Sequence, residues 1–236
     1  MTPCDERKDT PPPPRWGETP AASLAFWLVM ATLGYAYVAA VLTDRANPLA
    51  SPPGNAYEYP KLLAAATVMW LVGARKTLRP FAAPWGRAAL WNGLLWAVPF
   101  FIALHYEYLG GLVGSNFSLT PHHLARMRPH DWTVFAAGAA LILSLVGYHG
   151  WLAWRDRILG RWVGALVAVI AVIAVVTFLR RETHTFHIHH FFFFGMLVPW
   201  FRFPNPLCAL CQGAFAGISV EGVSRWGMDP TWYPIP

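Results

Sequence analysis

Four histidines fall within seven residues of this chain and stand directly before four consecutive phenylalanines. The stretch reads HTFHIHHFFFF and covers residues 184 to 194. Imidazole is the commonest metal ligand in proteins and also the side chain that most readily gains or loses a proton near neutral pH. The cluster therefore predicts a metal site or a site of proton exchange, placed against a strongly apolar segment.

The spacing within the cluster indicates how it could bind a metal ion. On a helix, His184, His187 and His190 form a ridge because they are three residues apart, and His189 points off it. Two imidazoles one turn apart can share one metal ion, whose other ligands come from elsewhere. Glu221 is the first candidate, because a carboxylate inside a membrane needs a partner. We predict that Glu221 contacts His187, His189 or His190.

The predicted metal ligands are histidines of this cluster, the intramembrane glutamate and one histidine from an earlier segment: His187, His189, His190, Glu221, His184 and His105. His122 and His123 are further available donors. Imidazole suits copper, iron and zinc alike, so the identity of the metal stays open. A polar cap that only hydrogen-bonds loop carbonyls is the alternative, and no residue is assigned a catalytic role.

Other patterns indicate packing more than chemistry. Cys208 and Cys211 have the Cys-x-x-Cys spacing of redox and zinc sites, but we interpret them as small buried residues. The patterns GAFAG, with Gly213 and Gly217, and GALVA, with Gly164, predict close helix packing. The chain has no phosphate-binding loop, dinucleotide fingerprint or nucleophile elbow. No histidine follows Ser219, which argues against an intramembrane serine protease.

The composition predicts a membrane protein. The chain is 56% hydrophobic and 13% charged, against roughly a quarter charged in soluble domains. Its net charge of +6 comes from lysines and arginines scattered through the connecting segments, where they set membrane topology. No run of basic residues is long enough to bind along the phosphate backbone of a nucleic acid. We therefore expect the lipid bilayer and membrane proteins as partners, and no nucleic acid.

We predict an all-α bundle of about seven transmembrane helices (residues 21–236) behind a disordered, proline-rich cytosolic arm (residues 1–20). The predicted spans are Ser23–Thr43, Lys61–Ala74, Ala88–Leu109, Trp132–Trp154, Arg161–Leu179, Phe186–Phe203 and Pro206–Arg225. Only Pro204, Asn205 and Pro206 separate the last two, which must therefore form an antiparallel hairpin. Pro99 interrupts the third span as a tolerated kink.

Basic residues in the connections predict the orientation. The arm and the connections after the second, fourth and sixth spans hold eleven lysines and arginines, and the other side holds seven. The N-terminus is therefore expected in the cytosol and the C-terminus in the lumen or outside the cell. A glycosylation sequon at Asn116 agrees. Eight of the nine histidines then share the outer face, and His149 lies at the inner one.

The last fifty residues resemble the C-terminal multi-span region of fungal and protist membrane proteins that carry an LCCL domain. The similar parts are HIHHFFFFGMLVPWFRF and GAFAGISVEGVSRWGMDPTW. The resemblance implies a pairing of these two motifs and no reaction, and the cysteine-rich LCCL module is absent. The tract also differs from the His-x-x-His-His boxes of membrane di-iron hydroxylases, because it reads His-x-x-His-x-His-His.

Three functions remain open at this point. The first is a membrane protein with a metal-binding His and Glu site that performs redox or hydrolytic chemistry. The second is a structural or assembly subunit whose histidines only satisfy polar groups. The third is a proton-coupled transporter, although the sequence shows no inverted repeat and seven spans do not divide evenly.

Overall fold

The computed structural model describes residues 20–42, 57–78, 87–113, 125–228 and 230–235. These residues form an all-α fold with one short pair of strands. Except for Pro20, the predicted N-terminal arm lies outside the described residues, and so do Asn116, His122 and His123.

Helix bounds are as follows. The first four helices are α1 (Pro20–Tyr37, continuing as a π-helical turn over Val38–Leu42), α2 (Glu58–Met69, continuing through a π-helical turn over Trp70–Ala74 and a last turn over Arg75–Thr77), α3 (Arg87–Ala103) and α4 (Tyr106–Val113). The others are α5 (Pro129–Arg155), α6 (Leu159–Arg180), α7 (His190–Leu197, continuing as a 3₁₀ turn over Val198–Trp200) and α8 (Pro206–Trp226). The strands β1 (His184–Phe186) and β2 (Trp232–Pro234) pair in antiparallel fashion.

Four helices of the described chain are long and apolar enough to cross a membrane. They are Pro20–Leu42, Pro129–Arg155, Leu159–Arg180 and Pro206–Trp226. Two shorter apolar helical stretches, Gly93–Ala103 and His190–Trp200, belong to α3 and α7. The fold class is therefore confirmed as helical with four candidate spans, and the count of seven stays a prediction.

The two central membrane-length helices of the chain, α5 and α6, expose apolar side chains. Leu143 is 69% exposed on α5, and Val172 and Leu179 are 63% and 74% exposed on α6. Exposed apolar surface of this extent is unfavourable in water but is what a lipid-facing helix presents. The pair thus gives the bundle an apolar outer surface.

Helix α8 forms the core of the fold. It packs most extensively against α3 and next against α7. A methyl group on Gly213 would overlap the carbonyl oxygen of Trp96, and one on Gly217 would overlap that of Phe100. The predicted close packing at GAFAG is thus confirmed. At GALVA it is wrong for the described residues, because none of their atoms lies within 4 Å of a Cβ built on Gly164.

The hairpin of α7 and α8 is confirmed. Residues 201–205 link the two helices, and the Asn205 side chain accepts a hydrogen bond of 2.9 Å from the backbone N–H of Cys208. Pro206 occupies the first turn of α8, where its missing N–H costs nothing. This short link aligns the start of α7 with the end of α8.

The predicted helical ridge of histidines is wrong. His184 lies in β1, and α7 begins only at His190. The backbone of this segment bonds to the C-terminus: His184 pairs with Pro234, and the His187 N–H donates to the Thr231 carbonyl at 2.9 Å. Gly227, with φ of 83°, ends α8 in a left-handed conformation and turns the chain back towards β1.

Candidate functional site

A buried glutamate joins the ends of α7 and α8. Glu221 is fully buried, and its Oε1 accepts a hydrogen bond of 2.8 Å from Nε of Arg225, one helical turn later. Its Oε2 lies 3.4 Å from Nε2 of His190. The predicted contact between Glu221 and the histidine cluster is therefore present, and His190 makes it.

The three side chains differ in their access to solvent. The Glu221 side chain is 0% exposed and that of Arg225 is 11% exposed. The His190 side chain is 25% exposed, so it forms the accessible edge of the site.

Gly222 permits the close approach of α7 to α8 at this point. A Cβ at Gly222 would lie 2.6 Å from Nε2 of His190 and 2.7 Å from Cβ of Phe191. The ring of Tyr106, from α4, lies beside the imidazole of His190 with the ring centroids 5.1 Å apart. Neither Gly222 nor Tyr106 was predicted from the sequence. The glycine beside Glu221 was the available signal, because it leaves space for a neighbouring segment.

Two facing atoms of the site lack hydrogen bonds. Within the described residues, neither Nε2 of His190 nor Oε2 of Glu221 has a hydrogen-bond partner, and both atoms are buried. Their 3.4 Å separation exceeds the usual length of an N–H···O bond. Buried polar atoms without partners are uncommon and mark strained or functional positions. A proton on Nε2 of His190 would lie between these two atoms.

The other histidines of the cluster turn towards the C-terminal strand. Nε2 of His189 lies 2.7 Å from the Tyr233 hydroxyl, and the His187 ring packs on the His189 ring at 4.6 Å. Nδ1 of His184 lies 2.8 Å from the hydroxyl of Thr183. These three histidines make contacts within β1 and the residues beside it. Of the four histidines in the cluster, His190 is the one whose contact with Glu221 the described residues show.

His105 belongs to a separate contact between α1 and the end of α3. Its Nε2 lies 3.2 Å from the Tyr37 hydroxyl, and its Nδ1 lies 3.1 Å from the Phe101 carbonyl oxygen. The predicted six-residue metal set is therefore dispersed. In the part of the chain that the structure describes, no group of three or more His, Cys, Asp or Glu side chains is placed to hold a metal ion.

A second buried polar contact joins α5 to the start of α8. His149 is fully buried, with Nδ1 2.6 Å from the Leu145 carbonyl oxygen and Nε2 2.9 Å from Sγ of Cys208. A carbonyl only accepts, so Nδ1 carries the hydrogen and Nε2 accepts from the thiol. Cys208 and Cys211 are buried free thiols, as predicted. The contact between His149 and Cys208 was not predicted from the sequence.

Buried polar groups also occupy the start of α8. Nε2 of Gln212 donates to the carbonyl oxygen of Phe201 at 3.1 Å, and the Thr77 hydroxyl donates to the same oxygen at 2.9 Å. Both side chains are almost completely buried. They tie the end of α2 to the link between α7 and α8.

Comparison with protein-family models, with curated proteins and with solved structures finds no match to this chain. The resemblance of the last fifty residues to the membrane region of LCCL-domain proteins stays a prediction.

Proposed function

We propose that this chain is a multi-pass integral membrane protein of the proton-coupled carrier type. The observation that supports the proposal is the buried site of Glu221, Arg225 and His190. Ionisable residues inside a membrane bundle are rare, and they characteristically mark ion pathways and proton relays. In this proposal His190 takes up and releases one proton, and Glu221 stabilises the charged imidazole.

The geometry assigns a distinct task to each residue. Arg225 balances the charge of Glu221 through Oε1, so the buried carboxylate is compensated when His190 is neutral. Oε2 of Glu221 remains directed at Nε2 of His190, where it can accept a hydrogen bond from a protonated ring. Proton binding at His190 then adds one positive charge to a site that is otherwise neutral.

Polar groups inside the core support a path along α8. Ser224, Ser219 and Gln212 are buried on this helix together with Glu221. The Ser224 hydroxyl donates to the Tyr35 carbonyl oxygen at 2.9 Å, and Gln212 contacts Thr77 at the other end. Many carriers contain internal repeats that this chain lacks. In this proposal, the polar groups at both ends of the central helix α8 take the place of such repeats.

We propose the orientation that the basic residues favour. The connections that contain Arg75, Lys76 and Arg202 would face the cytosol. The site of His190 and Glu221, at the opposite end of the α7–α8 hairpin, would then face the lumen or the outside of the cell. The three shorter spans, formed by α2, α3 and α7, would complete the seven crossings.

Proton uptake into proteoliposomes tests the proposal. We expect an imposed pH difference to drive proton uptake through the full chain, reported by a pH-sensitive dye trapped inside the vesicles. Glu221→Gln/Arg225→Met should abolish it, because it removes the carboxylate and its counter-charge together. Glu182→Gln is the matched control, since that carboxylate is 83% exposed and outside the site. Equal uptake by wild type and double variant would contradict the proposal and favour a structural subunit.

A metal centre is the second candidate, and one observation favours it. The 3.4 Å between His190 Nε2 and Glu221 Oε2 suits two ligands of one tetrahedral metal ion, at metal–ligand distances of roughly 2.0 to 2.2 Å. Further ligands would have to come from residues outside the described ranges, such as His122 and His123. Elemental analysis of the same preparations separates the two functions. Stoichiometric copper, iron or zinc that is lost in His187→Ala/His190→Ala would identify a metal centre.

A further inference from the structure

A large apolar groove lies between α2, α6 and α7, apart from the site of Glu221. Its volume is about 590 Å³, within the range of roughly 300 to 1,000 Å³ that is typical of ligand sites. Val68, Val72, Val169, Phe192 and Met196 line its long walls. These apolar walls can pack against a hydrocarbon chain, and they provide no hydrogen-bonding group to a polar solute.

Three cations stand at one end of the groove. They are Lys76 in the last turn of α2, Arg161 in the first turn of α6 and Arg202 in the link between α7 and α8. Among the described residues that line the groove there is no aspartate or glutamate. The charged side chains in this lining are therefore all cations, and they lie where helices end and a membrane interface is expected.

One of these cations, Arg202, has an unmet hydrogen-bonding group within the described part of the chain. Nε of Arg202 is buried there without a hydrogen-bond partner. Burial, together with the nearby charges of Arg75 and Arg161, lowers the pKa of Arg202. An anion placed among these side chains would relieve both the repulsion and the missing hydrogen bond.

The apolar part of the groove is long enough to hold the acyl chain of a lipid. Leu62 and Lys76 both line the groove and are fourteen residues apart on α2. At 1.5 Å per residue this is about 21 Å, more than half of a bilayer core of roughly 30 Å. A soluble phosphate compound would leave most of this length unfilled.

We propose that this groove binds one phospholipid of the surrounding bilayer, with an anionic phosphate head group at Lys76, Arg161 and Arg202 and an acyl chain along the apolar walls. Arginine binds phosphate oxygens in bidentate fashion. Basic pockets between membrane helices on the cytosolic side are known to take such head groups.

Native mass spectrometry of the detergent-purified full chain tests the proposal by lipid titration. We expect one phosphatidylglycerol to bind in preference to phosphatidylcholine or oleate. Arg161→Gln/Arg202→Gln should weaken that binding roughly 30-fold, since each basic residue near the head group contributes a factor of about five. Arg180→Gln/Arg181→Gln removes the same charge at the other end of α6 and should bind as the wild type does.

A second pair of variants tests the apolar part. Ala165 lines the groove on the exposed surface of α6, so Ala165→Trp should obstruct the acyl chain without disturbing the core. Ala171→Trp, an exposed position of the same helix that does not line the groove, is its control. Equal binding of phosphatidylcholine, preferential binding of oleate, or wild-type binding by both groove variants would overturn the proposal.

Discussion

Gly213→Ala is expected to push α8 away from α3 and to destabilise the core of the bundle. The new methyl group would overlap the carbonyl oxygen of Trp96, which is backbone and cannot rotate away. Overpacking usually costs about 1 to 3 kcal/mol, and a backbone clash belongs at the upper end of that range. For a chain of this size we expect the midpoint of thermal unfolding to fall by about 6 to 12 °C.

Gly138→Ala is the matched control for this substitution. Gly138 lies inside α5, and a Cβ there would meet no atom of the described residues within 4 Å. Alanine is the better helix former by about 1 kcal/mol, so the control should be neutral or slightly stabilising. Thermal unfolding of both variants in the same detergent measures the difference. Equal stability of the two variants would show that α3 and α8 are not packed as described.

Arg225→Met is expected to destabilise the protein by about 3 to 5 kcal/mol, because it leaves the Glu221 carboxylate buried without its positive partner. The salt bridge of 2.8 Å is almost completely shielded from solvent, so surface screening does not weaken it. The measurement is the free energy of unfolding in mixed micelles. A cost below about 1 kcal/mol, the size of a surface pair, would place the carboxylate in contact with water.

The double variant Glu221→Gln/Arg225→Met separates the charge effect from lost packing. It removes both charges and keeps a polar group opposite His190, so it should be more stable than Arg225→Met alone. The coupling between the two positions should reach about 1 to 3 kcal/mol. Additive losses would mean that Glu221 and Arg225 do not act as a pair.

The contact between His190 and Glu221 could be predicted because a short link between two helices allows few arrangements of those helices. Pro204, Asn205 and Pro206 force α7 and α8 into a hairpin, and this alone brings the start of one helix beside the end of the other. Which histidine reaches the carboxylate depends on where α7 begins. That point is set by the pairing of β1 with β2, about fifty residues later, which periodicity within the cluster does not reveal.

Helix packing was predicted correctly where small residues face a neighbour and wrongly where they do not. GAFAG and GALVA present the same small-residue spacing, but only Gly213 and Gly217 lie against another backbone. The rotation of each helix decides the difference, and it is set by the whole core. The same reason explains why the contact between His149 and Cys208 could not be predicted from the sequence.

The number of spans was harder to predict than the fold class. Composition shows that apolar segments fill the chain, but it does not show how long each helix stays continuous. The helical stretch of α7 ends at Trp200 after eleven residues, about 16 Å at 1.5 Å per residue. The predicted span was longer because it counted the non-helical residues 186–189 and the apolar link as helix.

The separation of His190 and Glu221 in a lipid bilayer is the most direct measure of the central claim. Solid-state NMR can detect the dipolar coupling between ¹⁵N-labelled histidine side chains and ¹³C-labelled glutamate carboxyl groups. With Nε2 and Oε2 3.4 Å apart, the wild type should show one such coupling that disappears in His190→Asn and in Glu221→Gln. Spectra in which no coupling is lost on these substitutions would contradict the site and, with it, the proposed function.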